Sequence, residues 1–367
     1  MTVITIILLC ATIAYVGHST LMLIGLSRAR FPRNITYEPK VSIIVAARDE
    51  AKNIGECLAS LAQIDYPSHK FEVIVVDDNS ADATPSIIAS YLSARSNFRT
   101  MTAQPASGHL RGKANAIAQG IDIASGEIIM MTDADCIVSP SWVRGTVEQY
   151  NDTTGIVAGL TLLKYDDWFG GMQTIDWTYM LALASSTMAL GNPLSCIGNN
   201  FTFRRAAYDE VGGYRNIKFS VTEDFALFNA MTRSGKWGSR YPIRKETLVL
   251  SKPCADVAAL YRQKRRWGVG GKDMSVSGFA IGTVGFLLHA LYLLFPFVGI
   301  LWQVFAASFA VKMLCDYFVL RVPLKRTGRL ADLRYMLLFE PYFILFVVLL
   351  PFAVFLGGAV VWKGRRY

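Results

Sequence analysis

Apolar residues concentrate at the two ends of the chain, and the middle has the composition of a globular domain. Thr2 to Leu26 is apolar and carries no formal charge. About 20 apolar residues in a helix suffice to cross a bilayer core. The chain becomes strongly apolar again after Val276, whereas residues 28–273 read as an ordinary globular sequence. This pattern predicts a globular domain held between membrane helices, with a retained N-terminal anchor because no signal-peptide cleavage site follows.

The C-terminal apolar region predicts about three spans. Val276 to Leu320 is long enough for two helices with a turn near Phe295-Pro296-Phe297, and Tyr335 to Trp362 supplies a third. Arg321 to Arg334 is expected to be a short basic loop between them. For the last stretch, a re-entrant or interfacial segment broken at Pro351 is the alternative, since a single crossing leaves the basic C-terminal residues on the wrong side.

The net charge is +9, from 37 basic and 28 acidic residues. Many of the basic residues flank the apolar segments, as expected for topology signals, and no zinc-finger, RNP or basic-helix pattern predicts a nucleic-acid partner. The cluster after the first span places the middle domain in the cytosol by the positive-inside rule. An integral cell-membrane protein with a cytosolic domain is therefore expected. Lys312 and Asp316, four residues apart inside a predicted span, should face each other or protein.

The six cysteines form no CxxC pair, so the spacing supports neither a zinc knuckle nor a redox motif. Reduced thiols in a cytosolic compartment are expected.

Alternating strand and helix patterns predict an α/β domain. Val41 to Ala46 and Phe71 to Val76 are β-rich apolar runs, and Glu127 to Thr132 is a third. Helix-like stretches from Asn53 to Gln63 and from Lys113 to Ala124 lie between strands. This order favours a parallel sheet with helices on its faces, in which ligands bind beyond the carboxyl ends of the strands.

All three predicted strands end in charged residues. Arg48-Asp49-Glu50 follows the first, Asp77-Asp78 the second and Asp133-Ala134-Asp135 the third. Two carboxylates one residue apart can share a hard divalent cation such as Mg²⁺ or Mn²⁺ with phosphate oxygens, and such an ion stabilises a departing nucleoside diphosphate. A solvated turn is the simpler interpretation of an isolated DxD.

Further residues suit the same chemistry, each with a structural alternative. Asp77 or Asp78 is suited to bind a nucleotide base, or else to form a turn and a helix cap. Lys113 at a helix start suits a phosphate, or else is a surface lysine.

Two later segments are similarly ambiguous in isolation. In Thr222-Glu223-Asp224 a carboxylate is suited to take a proton from an acceptor hydroxyl, or else the acids only favour a helix start. The second segment is Gln263-Lys264-Arg265-Arg266-Trp267. Its arginines are suited to pair with pyrophosphate oxygens, and the face of its Trp is suited to stack on a sugar ring. The alternative is a basic juxtamembrane belt with an interfacial Trp.

The order of these motifs is more specific than any one of them. A DD pair, a DxD, a TED and a QxxRW ahead of membrane helices resemble the membrane-bound inverting glycosyltransferases of family 2. These enzymes have the GT-A fold, which is Rossmann-like with a mostly parallel sheet, and include cellulose, chitin and hyaluronan synthases and ceramide glucosyltransferase. The resemblance covers Val41 to Trp267. It implies three regions: an anchor at 1–27, a GT-A domain at 38–273 and a transmembrane region at 275–362.

The resemblance also implies roles for individual residues. It assigns nucleotide binding to Ala46, Arg48, Glu50 and Asp78. Asp77 and Lys113 are expected as further donor contacts from their places at a strand end and a helix start. It assigns metal and diphosphate to Asp133 and Asp135, and catalysis to Asp224 as the base beside Glu223. It assigns diphosphate and acceptor to Gln263, Arg266 and Trp267.

Some details depart from the family pattern. Arg48-Asp49-Glu50 stands where relatives often have aromatic-Asn-Glu, and Lys264 replaces the usual Gln or Arg. Gly198 to Phe201 with Arg204-Arg205 resembles the acceptor-side segment.

The predicted function is inverting transfer of a sugar from a nucleotide-diphosphate sugar, preferably a UDP-sugar, to a membrane-associated acceptor, giving a β-glycoside. A lipid acceptor is preferred because the C-terminal membrane region is short. A processive polysaccharide synthase is the alternative, and a nucleotide-binding transporter or scaffold is a rival of another class. The sequence leaves the sugar, the acceptor, the linkage and the oligomeric state open.

Overall fold

The computed structural model of the chain describes residues 3–92, 95–106, 108–362 and 365–366. Its contacts divide the chain into a sheet unit and a helical unit. The sheet unit comprises Ala29–Lys164 and Ser195–Lys252, and the helical unit comprises Met1–Arg28, Tyr165–Leu194 and Pro253–Tyr367. The region bounds implied by the motifs stay a prediction.

The helices are α1 (Val3–Arg28), α2 (Ile54–Leu61), α3 (Thr84–Leu92), α4 (Gly112–Ile123), α5 (Trp142–Val147), α6 (Trp168–Ala189), α7 (Arg205–Glu210), α8 (Gly213–Asn216), α9 (Glu223–Arg233), α10 (Val257–Gly270), α11 (Val276–Leu294), α12 (Trp302–Thr327) and α13 (Met336–Phe355). Short 3₁₀ helices lie at Ser68–Lys70, Gly198–Asn200, Gly271–Asp273, Phe295–Phe297 and Leu330–Tyr335.

The strands are β1 (Val41–Ala47), β2 (Phe71–Asp77), β3 (Phe98–Thr102), β4 (Ile128–Asp133), β5 (Ile137–Val138), β6 (Thr154–Ala158), β7 (Thr161–Leu163), β8 (Phe201–Arg204), β9 (Gly238–Arg240), β10 (Val249–Ser251), β11 (Val361–Trp362) and β12 (Arg365–Arg366). The main sheet has the order β3-β2-β1-β4-β8-β6-β9, and a smaller one has the order β5-β10-β7.

The main sheet is built on β1, which is parallel to both β2 and β4. These strands are runs of buried aliphatic residues, as expected for strands covered on both faces. In the register of the sheet Ala47 pairs with Asp77, and Ala46 pairs with Asp133. The predicted α/β class with a mostly parallel sheet is confirmed, and the acidic strand ends lie at one edge.

The path of the chain creates a crevice at that edge. From β1 the chain continues through β2 and β3 on one side, and then returns to β4 on the other side of β1. Such a switch point leaves a crevice beyond the carboxyl ends, because the connections from neighbouring strands run in opposite directions. Strand β8 follows β4 in the sheet but is antiparallel to it, an arrangement that the sequence patterns did not predict.

Asn200 ties the antiparallel half of the sheet unit together. Its side-chain Oδ1 accepts a hydrogen bond of 3.0 Å from the indole Nε1 of Trp142. Its Nδ2 donates to the carbonyls of Leu160 and Thr247, both at 2.9 Å. Asn200 is 1% exposed, so all three partners are satisfied inside the protein.

Four of the described helical segments are long and apolar enough to cross a membrane: Val3–Arg28, Val276–Phe297, Trp302–Thr327 and Leu330–Phe355. The predicted N-terminal span and three C-terminal spans match these segments. Thr2, the first residue of the predicted N-terminal span, lies outside the described residues.

Two details of the C-terminal prediction were wrong. The basic stretch from Arg321 is not a loop as far as Thr327, because α12 continues through Pro323 and ends there. Helix α13 likewise runs through Pro351 without a break. Proline removes one backbone donor, and in these long helices the neighbouring turns and packing keep the helix intact.

A polar network lies inside the helical unit. As predicted, Lys312 and Asp316 face each other, with 2.9 Å between Nζ and Oδ2, and neither is exposed. Lys312 also pairs with Glu340 of α13. The hydroxyl of Tyr15 in α1 donates to Asp316 at 2.6 Å and lies 3.0 Å from that of Tyr179 in α6. Buried polar groups therefore find partners across four helices.

Helix α6 belongs to this helical unit although it lies in the middle of the sequence. It packs against α1, α12 and α13, and most of its residues are buried on every side. A side chain at Gly25 of α1 would collide with the backbone of Ser186, so α1 and α6 cross at close range. The sequence patterns assigned this stretch to the globular middle.

Replacing Asn200 with leucine, which has the same branched skeleton but no polar atoms, should destabilise the protein. The Trp142 indole and two carbonyls would lose their partners, which costs on the order of 2–4 kcal/mol. For a protein of this size we expect the apparent Tm in detergent to fall by about 3–5 °C.

The matched control is Asn216→Leu, since Asn216 is exposed and makes one hydrogen bond of 3.2 Å to the Val211 carbonyl. Its Tm should stay near that of the wild type, and equal shifts for both variants would contradict the role of Asn200.

Candidate functional site

The loops that follow β1 and β2 interlock. The backbone N–H of Asp49 donates to the Ser80 hydroxyl at 3.0 Å, and Asp49 Oδ1 accepts from the N–H of Ala81 at 2.8 Å. Asp49 and Asn79 have φ angles of 51° and 57°, a left-handed conformation that Asp and Asn tolerate better than most residues. The two strand ends are thus held at a fixed separation.

The neighbouring acids Asp77 and Asp78 have different surroundings. Asp77 Oδ1 accepts a hydrogen bond of 2.6 Å from the Ser80 hydroxyl, so Asp77 stabilises the turn. The Asp78 carboxylate lies 3.8 Å from Nη1 of Arg48, which also donates to the Asp78 carbonyl at 2.9 Å. Asp77 therefore stabilises the turn, as the structural alternative predicted, and nucleotide binding by Asp78 stays a prediction.

The remaining predicted residues of the first strand end lie at the same edge. Ala46 is the residue of β1 that pairs with Asp133 of β4. Glu50 receives a hydrogen bond of 2.6 Å from the amide of Asn53, and its backbone N–H donates to the Thr84 hydroxyl at 2.8 Å. Glu50 is thereby held in the loop above β1.

Lys113 is the cation at the centre of this edge. Its Nζ lies 2.6 Å from Asp133 Oδ1 and 3.0 Å from Glu223 Oε1. Burial lowers the pKa of its ammonium, but the carboxylates of Asp133, Glu223 and Asp224 outweigh burial and raise that pKa above its ordinary value. The surface-lysine alternative is wrong, since Lys113 connects residues that are far apart in sequence.

Asp133 is the last residue of β4, and Asp135 follows two residues later. Burial, and then the charges of Asp133 and Glu50, raise the pKa of the Asp135 carboxyl to about 6. Beneath them Cys136 donates to Asp135 at 3.4 Å. Burial also raises the pKa of the Cys136 thiol, which is therefore neutral and a poor metal ligand.

The donor atoms at this strand end suit a hard cation in part. Carboxylate oxygens are ligands that Mg²⁺ and Mn²⁺ accept. In the described part of the chain, no group of three or more His, Cys, Asp or Glu side chains is arranged to hold a metal ion. An ion held by Asp133 and Asp135 would need its remaining ligands from a bound phosphate or water.

Glu223 and Asp224 form the first turn of α9. Asp224 Oδ1 accepts a hydrogen bond of 2.9 Å from the N–H of Phe225. Gly198 lies directly against this carboxylate: a Cβ at position 198 would be 2.7 Å from Asp224 Oδ2. The helix-start interpretation of these acids is right, and their link through Lys113 to Asp133 also joins them to the DxD edge.

Gln263, Arg266 and Trp267 all lie on α10, in the helical unit. Within that unit the Trp267 ring packs against the Trp177 ring, with centroids 5.4 Å apart and the planes at 60°. The other predicted residues all lie in the sheet unit. The contribution of these three residues to a common site stays a prediction.

The segment from Gly198 to Arg205 contacts both edges of the sheet. Gly198 reaches Asp224, whereas Arg204 pairs in register with Ile128, the first residue of β4. Arg205 donates from Nη2 to the Ala124 carbonyl at 2.7 Å, near the end of α4. The arginines therefore lie at the edge opposite the acids, which corrects their grouping with the acceptor-side segment.

Two family models match the chain. One, described as glycosyl transferase family 2, matches residues 42–212. The other, described as glycosyl transferase family group 2, matches residues 128–358, which includes the C-terminal apolar helices.

Similar sequences include two bacterial synthases. Beta-monoglucosyldiacylglycerol synthase of Trichormus variabilis is 30% identical over 241 residues, which is 64% of this chain and 49% of that protein. Poly-beta-1,6-N-acetyl-D-glucosamine synthase of Staphylococcus epidermidis is 26% identical over 248 residues, 65% of this chain and 56% of that protein. The chain thus matches about half the length of these relatives.

Among solved structures, the chain is similar to the mannosyltransferase PcManGT from Pyrobaculum calidifontis, in complex with GDP-Man and Mn²⁺. The TM-score is 0.59 at 18% sequence identity, and the alignment covers 96% of this chain and 99% of that chain. At this identity the likeness establishes the fold.

Proposed function

The chain belongs to glycosyl transferase family group 2, and from this membership we propose that it transfers a sugar from a nucleotide-diphosphate sugar to a lipid acceptor with inversion, giving a β-glycoside. The observation that supports this most is the meeting of the DxD and TED carboxylates around Lys113 at the carboxyl edge of a parallel sheet. Carboxylates from β4 and α9 would not share a cation there if they served only as solvated turns.

The donor occupies the crevice beyond β1 and β4 in this proposal. Asp78 and Arg48 bind the nucleoside, with Ala46 and Glu50 beside them, because their side chains lie at the ends of β1 and β2. Asp77 supports them by holding the turn. Lys113 is positioned to exchange a carboxylate partner for a phosphate oxygen of the donor. UDP is the preferred nucleotide.

Asp133 and Asp135 would hold a divalent ion, Mg²⁺ or Mn²⁺, jointly with the donor. Such an ion neutralises the charge that builds up on the departing diphosphate. The similar mannosyltransferase was solved with GDP-Man and Mn²⁺, which supports a metal requirement here.

Asp224 acts as the general base. It takes the proton from the acceptor hydroxyl, whose oxygen attacks the anomeric carbon from the face opposite the diphosphate. One displacement of this kind inverts an α-linked donor. Glu223 holds the Lys113 ammonium at 3.0 Å beside this base, and Gln263, Arg266 and Trp267 bind diphosphate and acceptor.

The helical unit supports a lipid acceptor and a cytosolic catalytic domain. Four candidate spans favour a membrane-embedded substrate, and the Trichormus relative is named for a glucosyl lipid. The basic residues after α1 favour a cytosolic catalytic domain. The Staphylococcus relative is named for a polysaccharide, so a processive synthase is the second candidate.

In the first test, radiolabelled UDP-sugars and, in parallel, radiolabelled GDP-mannose are added to membranes that contain the chain. We expect one labelled glycolipid of defined size, and a ladder of chain lengths would favour the polysaccharide synthase. Asp224→Asn should lower kcat by about 10²–10⁴-fold, because it removes the base but keeps the shape of the side chain.

The control for that variant is Asp209→Asn, an exposed acid outside the acidic edge. Full transfer by Asp224→Asn, at the same protein level as this control, would rule out the assignment of the base.

Metal and nucleotide should bind together. Titration of the purified chain with Mn²⁺ alone should give weak binding, because two carboxylates offer too few ligands. Adding UDP, or GDP if that is the nucleotide, should tighten Mn²⁺ binding by at least about tenfold, a coupling of ~1.4 kcal/mol. Asp135→Asn should abolish this coupling, whereas Asp122→Asn, at a surface pair with Arg215, should retain it. Equal Mn²⁺ affinity with and without nucleotide would refute the shared site.

Gly198→Ala should disturb the base without touching its charge. The new methyl group would meet the Asp224 carboxylate, and displacing a catalytic group by about 1 Å costs up to about 10²-fold in rate. Gly55→Ala is the control, since its Cβ would meet only Ile87 at 3.9 Å. Steady-state kinetics should give a lower kcat for the first variant alone, and unchanged kcat in Gly198→Ala would disprove the contact's importance.

A further inference from the structure

Helix α10 presents a run of basic residues, one of which is buried. Lys264 lies between Gln263 and the Arg266-Trp267 pair and is 2% exposed. Its ammonium pairs with the carboxylate of Asp176 in α6, which is fully buried. A lysine that served only as part of a membrane-surface belt would extend into the headgroup region instead.

The ammonium of Lys264 is enclosed by aromatic rings. Its Nζ lies 4.8 Å from the centre of the Trp267 ring and 4.9 Å from that of Phe346 in α13. On the carboxylate side, the Tyr342 hydroxyl of α13 donates to Asp176 Oδ2 at 3.1 Å. One ion pair thus connects α6, α10 and α13, and its cation lies over the Trp of the QxxRW motif.

Trp267 is therefore fixed from two directions. The Lys264 cation lies over its ring, and the ring of Trp177, the neighbour of Asp176 on α6, packs edge-on against it. Because Lys264 precedes Trp267 by three residues, both project from the same face of α10. Rotation of α10 would break the ion pair and move the Trp267 ring at once.

Stability alone is a poor reason for this arrangement. Replacing a buried ion pair by well-packed apolar residues is often neutral or stabilising by about 1–4 kcal/mol, since desolvation offsets the attraction. Here Asp176 Oδ1, Trp177 Nε1 and Gln263 Oε1 are also buried without a hydrogen-bond partner among the described residues. An apolar contact would avoid the desolvation of the two charges, but it would lack the directional pairing that fixes the rotation of α10.

We propose that Asp176, acting through Lys264, is a positioning residue that sets the orientation of Trp267 for sugar transfer. The inference rests on the proposed function and adds to it a residue from outside the recognised motifs. It assigns the unusual lysine at position 264 a role together with an acid on α6. Charge pairing orients the helix, and the aromatic rings hold the ammonium in place.

The decisive variant is the apolar replacement Asp176→Leu with Lys264→Met in the full chain. Packing is retained and no buried charge is left unpaired, although the Tyr342 hydroxyl loses its acceptor, so we expect a Tm close to that of the wild type. The kcat for transfer should nevertheless fall about tenfold or more, which corresponds to ~1.4 kcal/mol. Wild-type kcat in this stable variant would overturn the proposal.

A double-mutant cycle with Trp267→Ala separates positioning from packing. If Asp176 acts through Trp267, adding Asp176→Asn to Trp267→Ala should lower kcat no further. Asp176→Glu should restore part of the loss, because it keeps the charge. If the double variant instead lost kcat by the product of the two single fold-losses, the proposal would be contradicted.

The matched control is Glu340→Gln, a buried acid of α13 whose removal leaves the Lys312–Asp316 pair in place. Its effect, if any, should multiply with that of Trp267→Ala. The wild-type chain is measured in the same assay, and absence of any transfer there would count against the proposed function. If the wild-type chain transfers sugar and only the variants lose activity, the proposed function stands and the result supports the role of Asp176.

Discussion

The acidic edge of the sheet depends on the ammonium of Lys113, which joins carboxylates of β4 and α9. Parallel strands that end in aspartates bring like charges together, and like charges that are partly buried repel strongly. Lys113 projects from the first turn of α4 between Asp133 and Glu223. The elevated pKa of its ammonium keeps that charge in place. The sheet can therefore end in acids without a large loss of stability, and the acids remain concentrated where a phosphate-bound cation would be most useful.

The parallel half of the sheet could be predicted because its strands have a simple hydrophobic pattern. Buried strands such as Phe71–Asp77 are continuous aliphatic runs, and each ends at a polar turn that a reader of the sequence can recognise. The likeness to a solved mannosyltransferase confirms that the fold is GT-A, as the motif order implied. The short antiparallel strand β8 was harder to predict from the sequence, because four residues contain too little periodicity to indicate a partner strand.

The roles assigned to the residues of the candidate site stay predictions, and their contacts could not be predicted from the sequence. Lys113 was expected to contact a phosphate from its position at a helix start, yet its carboxylate partners come from β4 and α9, and such pairings depend on tertiary structure. The closeness of Gly198 to Asp224 also depends on backbone geometry. Helix α6 escaped recognition because Asp176 and several Thr and Ser residues lower its hydropathy, although these residues find partners or burial inside the helical unit.

The contact between Gly25 and Ser186 has a consequence for the modularity of the chain. A helix that merely tethers a domain can be exchanged for any other hydrophobic segment. Helix α1 cannot, because its glycine lets α6 approach, and its Tyr15 hydroxyl reaches Tyr179 of the same helix. Deleting the first 28 residues to obtain a water-soluble protein would expose the face of α6 that packs against α1. The N-terminal helix is therefore part of the folded structure as much as any strand of the sheet.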